Sequence, residues 1–300
     1  MNVLIAGATG LIGRALLKEL LAQQHQVIVL TRNIQNASRS LNFANGRVIF
    51  TDYKTGWRNN AIDIVINLAG SPITRVWTPQ QKKKVLNSRL LSTDYIFIRC
   101  QQNKIKPRLW LTISSTGYYG HQGSEIIEEG SGSGHKDFLQ DVAEQIESNA
   151  RKIGSLVERH CVLRVGIVLD PDFGFLGRIM PLYRRHLGGV MGSGKQYIPW
   201  IHIKDVVKAF FFLINNEHCS GIYNLSAPNP CQQRDFSSCL SEAVGKNNFL
   251  HMPSFLVRCI LGQRSALVLN SQNVIPRHLL NDGFVFDHPR LDPALQDLLQ

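Results

Sequence analysis

Near its start the chain reads Val3-Leu4-Ile5-Ala6-Gly7-Ala8-Thr9-Gly10-Leu11-Ile12-Gly13. Four apolar residues run into three glycines spaced G-x-x-G-x-x-G. Apolar positions then recur at Leu11, Ile12, Ala15, Leu16, Leu20 and Leu21. The first pattern is that of a buried strand and the second a helical stripe, so the glycines occupy a strand-to-helix turn. There Gly7 permits the tight turn, Gly10 lets the backbone approach a pyrophosphate, and Gly13 lets helix and strand pack closely. The helix N-terminus then offers free N–H groups and a partial positive charge to phosphates. Interrupted so soon by glycines, Arg14 and Lys18, the apolar run is too short for a secretory leader.

Outward from this turn, strand and helix signals alternate. Strands are expected at Gln26–Thr31, 47–51, 63–68, 108–114 and 161–169, with helices at 79–103 and 136–152. Such alternation predicts an α/β protein, a Rossmann doubly wound parallel sheet with a smaller C-terminal substrate-side domain. Residues 1–169 form the expected dinucleotide-binding domain, its sheet completed by segments within 200–226. Residues 170–248 are expected to supply substrate-side segments, and 249–300 a C-terminal extension. After Asp170 six glycines and Arg178, Arg184 and Arg185 crowd a segment that should cover the carboxyl edge of the sheet. Further strands are expected at 200–207 and 221–226, a helix from about Gln233, and short helices from Pro253. Gly192-Ser193-Gly194-Lys195 lacks the flanking strand and helix of a phosphate-binding P-loop and reads as a flexible hairpin.

Composition narrows the function classes. Of 300 residues 44% are apolar and 18% charged, enough for one large core or two smaller ones. No apolar run reaches the roughly 18 residues of a membrane span. Six scattered cysteines without a C-x-x-C pair predict reduced thiols in the cytoplasm and no metal centre. The net charge of +11 is spread along the chain, and its densest run is Lys82-Lys83-Lys84. That is a solvated helix face rather than a nucleic-acid surface, and an anionic small ligand would draw on the same field.

The end of the second strand bears on which dinucleotide. It reads Leu30-Thr31-Arg32-Asn33, with no carboxylate to take the ribose hydroxyls as NAD sites do. A carboxylate would repel a 2′-phosphate, whereas Arg32 can hold it through charge-assisted hydrogen bonds. The expected cofactor is NADP(H).

Three longer signatures, AGATGLIG at 6–13, NLAG at 67–70 and SSTGYYG at 114–120, resemble the extended short-chain dehydrogenase/reductases, the epimerase/dehydratase group. Others recur in order: Trp77, Ser88-Arg89, LRVGIVL at 163–169, the run from Gly192 to His202, and VIPRHLL at 274–280 with Gly283-Phe284. Together they resemble the bacterial epimerase-family proteins of the atypical short-chain group, whose relatives include plant and cyanobacterial chloroplast or cell-division proteins. The resemblance covers essentially the whole chain. It implies an NADP-binding Rossmann domain, a smaller substrate-side domain and a C-terminal extension, with no settled substrate.

The superfamily's chemistry uses a Tyr-x-x-x-Lys pair, in which a lysine-lowered phenol transfers a proton. In the matching register Phe138 and Val142 stand at those places, and no tyrosine occurs between Tyr119 and Tyr183. Arg89 replaces an asparagine of the long helix. An arginine there suits an anionic substrate group or cofactor phosphate, or forms an ion pair on the helix surface. The candidate catalytic groups are Ser114, at a strand's carboxyl end, and Tyr118 or Tyr119. His202 is either an acid/base or a strand histidine bonded to backbone, and Glu125, Glu128 and Glu129 read as a mobile acidic loop. Cofactor contacts are expected from Gly7, Thr9, Gly10, Leu11, Ile12, Gly13, Thr31, Arg32, Leu68, Ala69, Gly70, Arg89 and Ser114. Two functions stay open: an NADP-dependent oxidoreductase or epimerase acting on a small anionic or sugar-derived substrate, and a non-catalytic NADP(H)-binding regulatory protein. No nucleic-acid or membrane partner is expected, and the chain is expected to be a monomer or homodimer.

Overall fold

In the computed structural model of the chain, residues 1–44, 46–57, 61–134, 136–247 and 250–299 are described. Strand β1 (Asn2–Ala6) leads through the glycine turn into helix α1 (Leu11–Ala22), and β2 (Gln26–Thr31) returns alongside it. Strands β3 (Val48–Asp52), β4 (Ile64–Asn67), β5 (Leu109–Ser115), β6 (Arg159–Val165) and β7 (Gly221–Leu225) complete a seven-stranded sheet. Its order is β7-β6-β5-β4-β1-β2-β3. The pairings β1 with β2, β1 with β4, β2 with β3, and β4 with β5 are all parallel. Val3, Leu4, Ile5, Ile64, Val65 and Ile66 are wholly buried, as central parallel strands covered on both faces must be. This is the α/β Rossmann fold expected from the alternating pattern.

Helix α2 (Pro79–Gln102) begins where Thr78 accepts the Gln81 N–H and Pro79 occupies the first turn. Helix α3 (Phe138–Ala150) follows, its first residues set by Asp137 accepting the Leu139 and Gln140 N–H groups. The chain divides into two compact units. One comprises Met1–Ser114, Glu144–Leu163 and Phe210–Ile222; the other comprises Ser115–Ala143, Arg164–Ala209 and Tyr223–Gln300. In the first, Leu4, Ile28, Val65, Ile96 and Trp110 share a core. In the second, Trp200, Met180, Phe236 and Leu295 do. Among the described residues no helix is long and apolar enough to cross a membrane. None of the six cysteines is in a disulfide.

Four expectations need correction. The strand expected at 161–169 is two: β6 ends at Val165, and Ile167–Leu169 pairs instead with Trp200–His202. The break is Gly166, where a Cβ would sit 2.1 Å from the Pro199 carbonyl oxygen. The strand expected at 200–207 stops at His202, because Val206, Ala209, Phe210 and Leu213 are buried at helical spacing in α4 (Ile203–Asn215). The glycine-rich stretch holds an unforeseen helix, Gly174–Arg184, which buries Leu176, Met180 and Tyr183 despite Pro181. Residues 192–195 form no hairpin: Gly189–Met191 pairs with Leu250–Met252, and Tyr197–Ile198 pairs with Cys231–Gln232.

Candidate functional site

Most of the loop and strand-end residues expected to hold a cofactor meet at one cavity of about 1050 Å³ in the first unit. Gly7, Thr9 and Gly10 line it from the loop, Thr31 and Arg32 from the end of β2, and Leu68, Ala69 and Gly70 from the end of β4. The glycines bring three backbones together. Gly7 has φ +85°, and a Cβ on it would lie 2.6 Å from the carbonyl carbon and oxygen of Leu68. A Cβ on Gly13 would lie 2.4 Å from the Gly7 oxygen and 2.7 Å from Ala8 Cα. Gly10 caps α1 with extended backbone, and the first turn carries no acidic residue. The N–H groups of Leu11, Ile12 and Gly13 therefore have no intrahelical acceptor and no competing carboxylate beside them.

Arg32 is exposed at the cavity and, among the described residues, has no hydrogen-bond or ion-pair partner. The nearby β3 end carries Asp52, but its carboxylate is already engaged. It accepts the Thr55 N–H at 2.7 Å and the Lys54 N–H at 3.0 Å, which hold its pKa below the usual range. Tyr53, also on the wall, feels the Arg32 charge, although burial is the larger influence and pushes its phenol pKa up.

A buried polar chain fixes the far wall. Tyr53 OH meets Ser92 Oγ at 3.0 Å, Ser92 Oγ donates to Asn67 Oδ1, and Asn67 Nδ2 donates to Thr93 Oγ1. Asn67 Oδ1 also accepts the Ala69 N–H, so the turn after β4 is tied to α2. Lys84, Ser88, Leu91 and Tyr95 of α2 also line the cavity, beyond the contacts expected from sequence. Their spacing of three and four residues is one helix face, and that periodicity is the signal that could have found them.

Other candidates lie elsewhere. Arg89 is not on the helix surface in an ion pair. Its Nη1 donates to the carbonyls of Val85 (2.7 Å) and Ser71 (3.2 Å), and burial brings its pKa down to about 10. Its guanidinium carbon lies 2.8 Å from where a Cβ on Gly70 would sit, so Gly70 makes room for it. Ser114 is buried at the end of β5 and donates to Glu147 Oε1 at 2.9 Å.

In the second unit Tyr119 is wholly buried. Its hydroxyl donates to Asn224 Oδ1 and accepts from Arg164 Nη1, and burial pushes its pKa up to about 12. The Arg164 guanidinium lies 3.5 Å from the Tyr118 ring centroid. Glu129 does not belong to a mobile acidic loop, because its buried carboxylate accepts the N–H groups of Asn224 and His278. Glu128 pairs with Arg277. His202 is wholly buried, accepts the Lys204 N–H at Nδ1, and has a pKa lowered to about 4, so it is neutral near pH 7. Its Nε2 then carries the proton, 3.3 Å from Asp297, which makes it a poor metal ligand as it stands.

A parallel doubly wound sheet whose first turn is built of glycines around a large cavity defines a dinucleotide-binding α/β protein of the short-chain dehydrogenase type. Residues 3–138 match the NAD dependent epimerase/dehydratase family, and residues 252–298 match a domain of unknown function, DUF1731. An epimerase family protein of Staphylococcus aureus is 35% identical over 300 residues, spanning 99% of this chain and 98% of that protein. The chloroplastic SDR39U1 homolog of Arabidopsis thaliana is 32% identical over 304 residues, covering 100% of this chain and 87% of that protein. The chain belongs to the epimerase family. Among solved structures, human epimerase family protein SDR39U1 with NADPH aligns at a TM-score of 0.89 and 30% identity, covering 100% of this chain and 99% of that one.

Proposed function

We propose that the first unit binds NADP(H), and that the protein acts as an NADP(H)-dependent oxidoreductase or epimerase on a small, anionic or sugar-derived molecule in the cytoplasm. The observation that carries the cofactor reading is Arg32, a cation without a partner among the described residues, on the wall of a cavity that the glycine turn also lines. The fit is close. A Cβ at Gly7 or Gly13 would collide with neighbouring backbone, so only glycine lets this turn fold so tightly, and the N-terminus of α1 suits a pyrophosphate. The human relative crystallised with NADPH supports the same choice. Gly7, Thr9, Gly10, Leu11, Ile12 and Gly13 would hold the pyrophosphate, and Thr31 and Arg32 the 2′-phosphate. Leu68, Ala69 and Gly70 would complete the contacts on the cavity wall, while Arg89 and Ser114, which do not line it, would act from behind that wall. When bound, the nicotinamide supplies or accepts a hydride.

Proton transfer would fall to Tyr118, with Ser114 as a hydrogen-bonding group. Tyr119, with its pKa near 12 and both hydroxyl bonds taken, is fitted to a structural task. Phe138 and Val142, where the superfamily's Tyr and Lys would stand, favour a second reading, a protein that keeps the cofactor and regulates rather than turns over.

Fluorescence titration of the protein with NADPH and NADH tests the cofactor reading. A charge-assisted contact is worth about 1.5–3 kcal/mol, so NADPH is expected to bind roughly ten- to hundredfold more tightly than NADH. Equal affinities would contradict it.

A further inference from the structure

The second unit holds a smaller cavity, of about 290 Å³, whose chemistry is one-sided. Lys195 and Arg258 contribute cations, Ser124 and Ser254 hydroxyls, and His121 an imidazole, while among the described residues no carboxylate lines it. His121 Nδ1 accepts the Ser271 N–H at 2.9 Å, so in the neutral ring Nε2 carries the proton and is a donor. Ser193 and Ser271 are also on the wall, but their hydroxyls are engaged internally with Lys195 N–H and Tyr197 N–H. By contrast, among the described residues Lys195 and Arg258 have no acidic partner, and the hydroxyls of Ser124 and Ser254 make no hydrogen bond.

Two local features hold these donors in place. Ser254 begins the helix Ser254–Leu261 and Arg258 lies one turn on, so both share a face. That helix has no acidic residue in its first turn, where the unsatisfied N–H groups favour an anion. Opposite it, Gly192 and Gly194 take φ of +65° and +71° to shape the turn that carries Lys195. A Cβ on Gly192 would lie 2.8 Å from a Leu269 methyl and 3.0 Å from Ser254 Oγ, both on the cavity wall. Glycine there keeps the space open.

We infer that this cavity binds the phosphate group of a small phosphorylated metabolite. A phosphate matches a wall of two cations and several neutral donors better than a carboxylate with two oxygens does. The volume lies at the lower end of ligand pockets, which start near roughly 300 Å³, and suits a sugar phosphate rather than a dinucleotide. The inference is independent of the cofactor reading, since every residue it uses belongs to the second unit.

Isothermal titration calorimetry of the full chain with glucose 1-phosphate, inorganic phosphate and glucose tests it. Both phosphates should bind saturably and glucose should not. Lys195→Met and Arg258→Met should each weaken phosphate binding about tenfold or more, and the double variant should abolish it. Both side chains are exposed, so circular dichroism and NADPH affinity should match wild type. Unchanged phosphate affinity in the double variant would overturn the inference, as would a wild type that binds neither phosphate. Loss in Arg32→Glu with retention in the double variant would also overturn it, by placing the phosphate in the cofactor cavity.

Discussion

Replacing Arg164 with methionine is expected to lower the unfolding free energy by about 1.5–3 kcal/mol, the worth of hydrogen bonds from a buried charged donor. Arg164 is only 2% exposed. Its Nη1 donates to Tyr119 OH at 2.9 Å and to the Glu129 carbonyl at 3.2 Å, and its plane covers the Tyr118 ring. Methionine fills much of the volume but returns none of these bonds, and it leaves the Tyr119 hydroxyl and the Glu129 carbonyl without their charged donor. Urea denaturation measures the effect. A loss below about 1 kcal/mol would show that Tyr119 and Glu129 are held by Asn224 and the backbone alone.

Gly13→Val should act on the cofactor site with comparable force. The new Cβ would meet Gly7 O at 2.4 Å and Ala8 Cα at 2.7 Å, and both are backbone atoms that no rotamer can move aside. Overpacking of this kind costs about 1–3 kcal/mol, and the displaced helix end takes its N–H groups away from the phosphates. Two such contacts at about 1.5–3 kcal/mol each predict at least a hundredfold loss in NADPH affinity. NADPH titration beside a thermal melt separates the two effects. A folded variant with wild-type affinity would contradict the packing role of Gly13.

How much of this was legible in the sequence follows from what each signal encodes. The glycine turn and the strands flanking it were readable because spacing, apolar runs and glycine placement are all local. Gln26–Thr31 is the strand observed, residue for residue. Gly166 broke an apparently continuous apolar run for a reason that lies in Pro199, more than thirty positions along the chain, and no local pattern carries that. The same holds for Glu129, whose backbone partners Asn224 and His278 come from distant segments, and for Arg89, whose partners are carbonyls rather than a carboxylate. The α2 face of the cavity was within reach of periodicity. In the sequence Lys84 reads as part of a solvated lysine run and Ser88 as part of the Ser88-Arg89 signature, and neither residue type by itself marks a cavity wall.

On the reading proposed above, Arg32 makes this cavity an NADP(H) site. Titrating Arg32→Glu with NADPH and with NADH tests it most directly, because one substitution removes the cation and installs the carboxylate found in NAD-preferring sites. NADPH affinity should fall by about a hundredfold or more, from the lost charge-assisted bonds and added repulsion, while NADH affinity holds or rises. Unchanged NADPH affinity in the variant would contradict the account.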